Sequence, residues 1–125
     1  MTVLLDSWCW IEYFRDGQKA KEMTPYIEDE DEILISTITI AEVHRFLLHH
    51  EQKTTADKLT KWMIKRSVTI PVTKEIAIKS AEIKHELKIG LGDALIYATS
   101  LSQGVVLVTG DADFKGKDNV KYFGK

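Results

Sequence analysis

Residues 105–111 read Val105-Val106-Leu107-Val108-Thr109-Gly110-Asp111. No polar residue alternates with the apolar ones before the threonine. A strand with one wet face would alternate. An unbroken β-branched run fits a strand covered on both faces, as in a parallel sheet packed between helices. Gly110 then turns the chain and leaves Asp111 just beyond the strand.

The pattern extends in both directions. Upstream, Leu91 to about Ser102 has helical spacing, and Gly104 suits the left-handed position that ends a helix. Downstream, Asp113 shares the loop of Asp111, Lys115 and Lys117 follow, and 120–123 predicts a short edge strand. The chain opens on the same motif. Val3-Leu4-Leu5 is an apolar run, and Asp6-Ser7 offers two good N-caps for a helix from Trp8 to Phe14, closed by Gly17. Between these ends the spacing predicts a helix over about 18–28 and a strand Ile33-Leu34-Ile35-Ser36. A helix from near Thr39, another over 55–66, and a strand Val68-Thr69-Ile70 stopped by Pro71 follow. Thr73 caps a further helix with the stripe Ile76, Ser80, Ile83 and Leu87, ended by Gly90. Strands alternating with helices give an α/β class: a three-layer α/β/α sandwich around a mainly parallel sheet, with right-handed crossovers. At 125 residues the chain is expected to form a single domain over 1–125.

Composition narrows the class. The hydrophobic fraction is 44% and the charged fraction 29%, which excludes low-complexity disorder. No apolar stretch approaches the roughly 20 residues of a membrane helix. The opening residues lack the features of a signal peptide. The single Cys9 excludes an internal disulfide and a Cys-cluster zinc site, and fits a cytoplasmic setting. Net charge is −2, but residues 28–32 are five consecutive acids. Setting them aside leaves 17 basic residues against 14 acidic ones, so the net value neither supports nor excludes a nucleic-acid partner. The acid run itself is expected to be a solvated helix end without a role.

Four acids stand out by position. Asp6 and Asp111 follow apolar strands. Glu42 and Asp93 lie in the first turns of the helices expected from Thr39 and from Gly90. Strand ends and helix starts share one edge of such a sheet, so the four can converge, with Asp113 beside Asp111. Each also has a plain structural role available: Asp6 as a cap, Glu42 in a capping box with Thr39, Asp93 with the helix dipole, Asp111 in a turn. Together they would repel one another unless a cation neutralises them. An all-oxygen donor set suits Mg²⁺ or Mn²⁺ rather than zinc. Such ions activate water and polarise a phosphodiester, and two of them can also stabilise the leaving oxygen, so no His or Lys base is required.

Other residues point elsewhere. His49 and His50 are adjacent and diverge by ~100° on a helix, so they do not chelate together. His49 lies four residues from Arg45, on an edge that is solvated or faces a nucleic acid. Cys9 between Trp8 and Trp10 fits a small buried thiol. Gly90-Leu91-Gly92 lacks the lysine and spacing of a phosphate loop. Among basic residues flanking these segments, Arg45, Lys115 and Lys117 are the candidates for contacts to a nucleic-acid backbone. Trp8, Trp10, Tyr13 and Phe14 crowd one short helix. That is more aromatic surface than one inward stripe needs, and it predicts cover by a partner.

The segments LLDSWCWIEYF, ISTITIAEV, LGDALIYAT and LVTGDADF resemble, in order and spacing, those of PIN-domain nucleases. They are most similar to the toxin half of VapBC toxin–antitoxin systems. The resemblance spans nearly the whole chain and implies a metal-dependent endoribonuclease using Mg²⁺ or Mn²⁺, with RNA as substrate, a cognate antitoxin and a homodimeric state. It implies metal-site roles for Asp6, Glu42, Asp93 and Asp111, an auxiliary role for Asp113, and supporting roles for Ser7 and Thr109. One departure is that the family commonly has alanine where this chain has Gly92, and glycine loosens a first helical turn. Alternatives that remain are a PIN-type ribonuclease of RNA processing or decay without an antitoxin, and a non-catalytic PIN-like module, although no acid is missing. A receiver-like phosphoacceptor domain fits less well, since no acid follows the strand at 33–36.

Overall fold

The structure is a computed structural model and describes residues 1–29 and 31–125. In chain order it contains β1 (Val3–Leu5), α1 (Ser7–Phe14), α2 (Ala20–Glu28), β2 (Ile33–Ser36) and α3 (Thr37–His50). Then come α4 (Lys53–Arg66), β3 (Val68–Ile70), α5 (Lys74–Leu87), α6 (Leu91–Gln103) and β4 (Val106–Thr109). A 3₁₀ turn (Ala112–Phe114) leads to β5 (Val120–Tyr122). The five strands form one sheet in the order β3-β2-β1-β4-β5, and every pairing is parallel.

The apolar runs are unalternating because both faces of the sheet are covered. Leu5, Ile33, Ile35 and Val108 point into a core shared with Trp10, Met23, Ile27, Val43, Leu47 and Met63 of α1–α4. Their strand neighbours Leu4, Leu34 and Leu107 point the other way, against Ile76, Ile83 and Ile96 of α5 and α6 and against Phe114. The three-layer sandwich follows directly. Among the described residues no helix is long and apolar enough to cross a membrane.

The sheet order sets where a site can form. From β1 the chain builds outward through β2 and β3, then returns to build β4 and β5 on the other side. Between β1 and β4 the connections leave in opposite directions, which opens a crevice beyond their carboxyl ends. Asp6 and Asp111 follow these two strands.

Several helix ends differ from expectation. α3 starts at Thr37, because Ser36 at the end of β2 is its cap, accepting from Ile38 N at 3.2 Å. Thr39 is therefore the third residue of the helix rather than its cap; it is fully buried, its hydroxyl has no hydrogen-bond partner among the described residues, and no capping box with Glu42 forms. Glu42 lies in the second turn. α5 is closed by Lys88, not Gly90: Lys88 has φ 58° in the left-handed region, and Gly90 is instead the cap of α6. In the same way Asp16, with φ 53°, makes the left-handed turn after α1 ahead of Gly17. Gly104 does end α6, with φ 65°, its N–H on Leu101 O and that of Val105 on Ser100 O. In the acid run, Glu30 lies outside the described residues. Glu28 accepts from the Tyr13 hydroxyl at 2.6 Å, and Arg66 donates to the carbonyls of Asp29 and Asp31, so this stretch is tied to the body by specific bonds.

Candidate active site

Asp6 is the buried centre of the crevice. It is only 2% exposed, and its N–H pairs with Val108 O, so its place follows from the register of β1 against β4. Oδ1 accepts from Ser7 N at 2.8 Å, and Oδ2 accepts from the Thr109 hydroxyl at 2.6 Å. Thr109, the last residue of β4, also accepts from Asp111 N at 3.0 Å. One buried hydroxyl thus fixes the first acid and the loop of the last. Asp111 Oδ1 in turn accepts from Asp113 N at 3.0 Å, which shapes the 3₁₀ turn. On α3, Glu42 Oε1 accepts from the Ser7 hydroxyl at 2.6 Å. Asp93 comes from the first turn of α6, and carboxylate oxygens of Asp93, Asp111 and Asp113 lie within 4.8 Å of one another.

Asp6, Ser7, Glu42, Asp93 and Asp111 line one groove of about 730 Å³. Asp113 is exposed at its edge, beside Asp93 and Asp111. Among the described residues none of the five acids has an ion-pair partner. The electrostatic consequence is large. Burial raises the Asp6 carboxyl to about 7, against the pull of the Thr109 hydrogen bond and with further push from Glu42 and Asp111. Burial also raises Asp93 to about 8, with the charges of Asp111, Asp6 and Asp113 adding to it. These groups must be neutralised by protons or by a cation. The donor set is wholly carboxylate, without nitrogen or sulfur, which fits a hard divalent ion such as Mg²⁺ or Mn²⁺.

A family model of the PIN domain matches residues 3–120. The chain belongs to the PIN domain family. Solved structures align over nearly its full length. A toxin–antitoxin complex from Klebsiella pneumoniae is 26% identical with a TM-score of 0.82, covering 98% of this chain and 99% of that one. VapBC2 from Rickettsia felis, bound to a DNA fragment from its promoter, is 19% identical with a TM-score of 0.77, covering 99% and 98%. VapC20 from Mycobacterium tuberculosis, a sarcin-ricin loop cleaving toxin, is 15% identical with a TM-score of 0.77, covering 93% and 95%. The latter two are likenesses of fold. No curated protein matches the sequence.

Within this PIN domain the glycine at 92 has a local consequence. A Cβ there would lie 2.9 Å from Glu42 Oε2, so the absent side chain leaves room for that carboxylate against the start of α6. Of the basic residues proposed for RNA, Arg45 lines the groove, whereas Lys115 and Lys117 do not. Lys115 Nζ instead donates to the carbonyl of Lys125 at 3.0 Å. Cys9 is a buried thiol with Sγ on Val108 O at 3.1 Å, and burial pushes it well above the usual thiol range.

Sequence reasoning missed the rest of the groove: Trp8, Phe46, Leu48 and His50 also line it, with His49. The signal was available in α3. Arg45, Phe46 and His49 stand three, four and seven residues after Glu42, on the same helical face.

Proposed function

We propose that this PIN domain is a Mg²⁺- or Mn²⁺-dependent endoribonuclease and the toxin half of a toxin–antitoxin pair. One observation supports the chemistry above all: four carboxylates, from the end of β1, α3, α6 and the loop after β4, share one groove, and among the described residues none of them has an ion-pair partner. Asp6, Glu42, Asp93 and Asp111 would hold the ion, with Asp113 in an auxiliary position. Once bound, such a cation activates water and polarises a phosphodiester.

The chain's own residues prepare for that ion. Thr109 donates to Asp6 and Ser7 donates to Glu42, so two ligands are oriented before anything binds. Asp6 and Asp93 retain protons near neutral pH while the site is metal-free, and binding must release them. Burial excludes bulk water from Asp6 and strengthens its interaction with any cation that enters.

RNA as substrate is supported by the fold likeness to a toxin that cleaves the sarcin-ricin loop, and an antitoxin by the toxin–antitoxin complexes of the same fold. A partner surface is supported by the aromatics of α1. Trp10 is wholly buried, but Tyr13 stacks on Trp62 at 6.2 Å and 4°, and Trp62 remains 41% exposed. A homodimer would cover further apolar surface. Residues 1–125 would act as one domain, since both cores share a single sheet, and the lone Cys9 fits a cytoplasmic setting.

The test is RNA cleavage by purified protein with Mn²⁺, with EDTA, and with Asp6→Asn or Asp93→Asn. Cleavage by the wild type in Mn²⁺ alone is expected. Cleavage that persists in EDTA or in either variant at unchanged far-UV circular dichroism would overturn the assignment.

A further inference from the structure

Gly110 separates β4 from Asp111, and its neighbours leave it no room for a side chain. The backbone there is not left-handed: among the described residues only Gly104 and Gly116 are glycines with positive φ. The requirement is space. A Cβ on Gly110 would overlap the six-membered ring of the Trp8 indole, so that ring lies directly against the turn. Gly124 is constrained in the same way. A Cβ there would overlap the Tyr122 hydroxyl and come within 2.6 Å of the Gly110 carbonyl oxygen. Residues 109–115 are also tied to 122–125 at both ends. Phe123 N donates to Thr109 O at 2.8 Å, where the β4–β5 ladder ends. Lys115 Nζ and the Tyr122 hydroxyl both donate to Lys125 O, at 3.0 and 3.3 Å. Both sides of this grip are anchored. Trp8 packs on the core two residues after Asp6, and Phe123 packs on the same core with its ring edge-on to Tyr26, at 6.0 Å and 79°. Asp111 needs such support. Its charge opposes those of Asp6 and Asp93. Its own hydrogen bonds, from its N–H to the Thr109 hydroxyl and from Asp113 N to its Oδ1, stay within the loop. A free loop would relieve the repulsion by turning outward.

We propose that Trp8 and the Phe123–Gly124 segment are positioning residues that clamp the Gly110 turn and so hold Asp111 beside Asp6 and Asp93 for the cation. The proposal rests on the metal-dependent nuclease reading, and it adds residues that act through the turn rather than on the ion. Gly124 does not line the groove, so its influence on the site must pass through Gly110. Lys115, close behind the acidic loop, closes the clamp by bonding the Lys125 carbonyl.

The experiment uses the full chain with Gly124→Ala and with Trp8→Leu, an apolar side chain too short to support the turn. Glu12→Gln is the control, since Glu12 is buried outside the groove and its loss destabilises the fold without touching the loop. Calorimetric titration measures Mn²⁺ binding, and amide hydrogen exchange in EDTA follows residues 109–115. Gly124→Ala and Trp8→Leu are each expected to weaken Mn²⁺ binding roughly tenfold, the loss typical when a group that orients a metal ligand is changed. In both, the amides of Asp111 and Asp113 should exchange faster without metal, while β1 and α3 keep their protection. Glu12→Gln should melt lower yet bind Mn²⁺ as wild type does. Wild-type Mn²⁺ affinity in either clamp variant at unchanged far-UV circular dichroism would overturn the proposal. So would unchanged exchange over 109–115, or an equal loss of affinity in Glu12→Gln, which would mark the effect as general destabilisation. If wild type binds Mn²⁺ and the losses hold but no RNA is cleaved, the clamp stands and the nuclease reading falls. If wild type cleaves RNA in Mn²⁺ and the losses are absent, the reverse holds. A wild type that binds no Mn²⁺ overturns both.

Discussion

Asp6→Asn removes the most buried of the clustered charges, and its effect on stability can be worked from the site. In the metal-free protein Asp6 titrates at about 7, against 3.8 for an unperturbed aspartate. The folded state therefore holds a proton that the unfolded chain gives up between these values. Stability from this group is fully present below the unfolded value and is lost as pH rises through the folded one. At pH 8 the cost of ionising Asp6 in place is about 4 kcal/mol. Asparagine resembles the protonated acid: its oxygen can still accept from Ser7 N, and its amide can donate to Thr109. Imperfect fit returns ~1 kcal/mol of the gain. The variant should then exceed wild type by about 3 kcal/mol in EDTA at pH 8, or roughly 10 °C for a domain of this size. At pH 5, still above the unfolded value, about 1.7 kcal/mol of that cost remains, so the difference should shrink to somewhat under ~1 kcal/mol. Manganese at a hundredfold excess over Kd adds about 2.7 kcal/mol to whichever protein binds it. Wild type should gain most of that and the variant little, so the two melting temperatures converge. Melts of both proteins at pH 5 and 8, in EDTA and in Mn²⁺, give the whole matrix. If Asp6 is only a helix cap, asparagine serves equally well. Both proteins would then melt together at every pH and ignore manganese, and that result would refute the reasoning.

Further outcomes follow from single contacts. Gly92→Ala adds a methyl against Glu42 Oε2 and should weaken Mn²⁺ binding in a calorimetric titration, while improved helix propensity raises the melting temperature by up to ~1 kcal/mol equivalent. Thr109→Val removes a donor from ionised Asp6 and an acceptor from Asp111 N, so the acid limb of the pH–cleavage profile should move to higher pH. Glu12→Gln should destabilise by ~1–3 kcal/mol in denaturant melts without altering cleavage, because buried Glu12 accepts from Arg15 Nε and Lys19 N and does not line the groove. Sedimentation at micromolar concentration should show a dimer, and a clean monomer with no co-purifying small protein would count against the partner surface on α1.

The sheet was legible because Val105–Thr109 and Val3–Leu5 are unalternating, and only a doubly covered parallel strand explains such runs. The acids after them were legible for the same reason: the strand end fixes where they stand. The helix starts were less so. Thr39 and Glu42 have the spacing of a capping box, but Ser36 stands at the strand end itself and captures Ile38 N first. Gly90 looked like a helix stop, yet Lys88 accepts the left-handed turn, and Lys84 Nζ secures it by donating to Ile89 O at 3.0 Å. Glu12 gave no signal, since its burial depends on a turn that returns Lys19 N to it. Lys115 and Lys117 follow the acidic motif in sequence, but after the 3₁₀ turn neither lines the groove, and Lys115 Nζ bonds the Lys125 carbonyl instead. Proximity along the chain does not imply proximity to the site when a tight turn intervenes.

The placement of Asp6 shows why this electrostatic cost can persist. A carboxylate on a mobile loop would swing outward and hydrate. Asp6 cannot, because it follows β1, which is hydrogen-bonded to β2 on one side and β4 on the other. Leu5 and Val108 beside it are fully buried. Displacing Asp6 would mean giving up the Asp6 N to Val108 O bond and opening the core beneath. Asp113 is the opposite case. It is exposed on a short 3₁₀ turn, and its side chain can move without disturbing packing. The cluster therefore combines a rigid buried acid with an adjustable exposed one. A cation entering the groove meets a ligand already desolvated and oriented, and ordering of the outer acid is the smaller expense. That division predicts unequal losses: Asp6→Asn should abolish metal-dependent stabilisation, whereas Asp113→Asn should only weaken it.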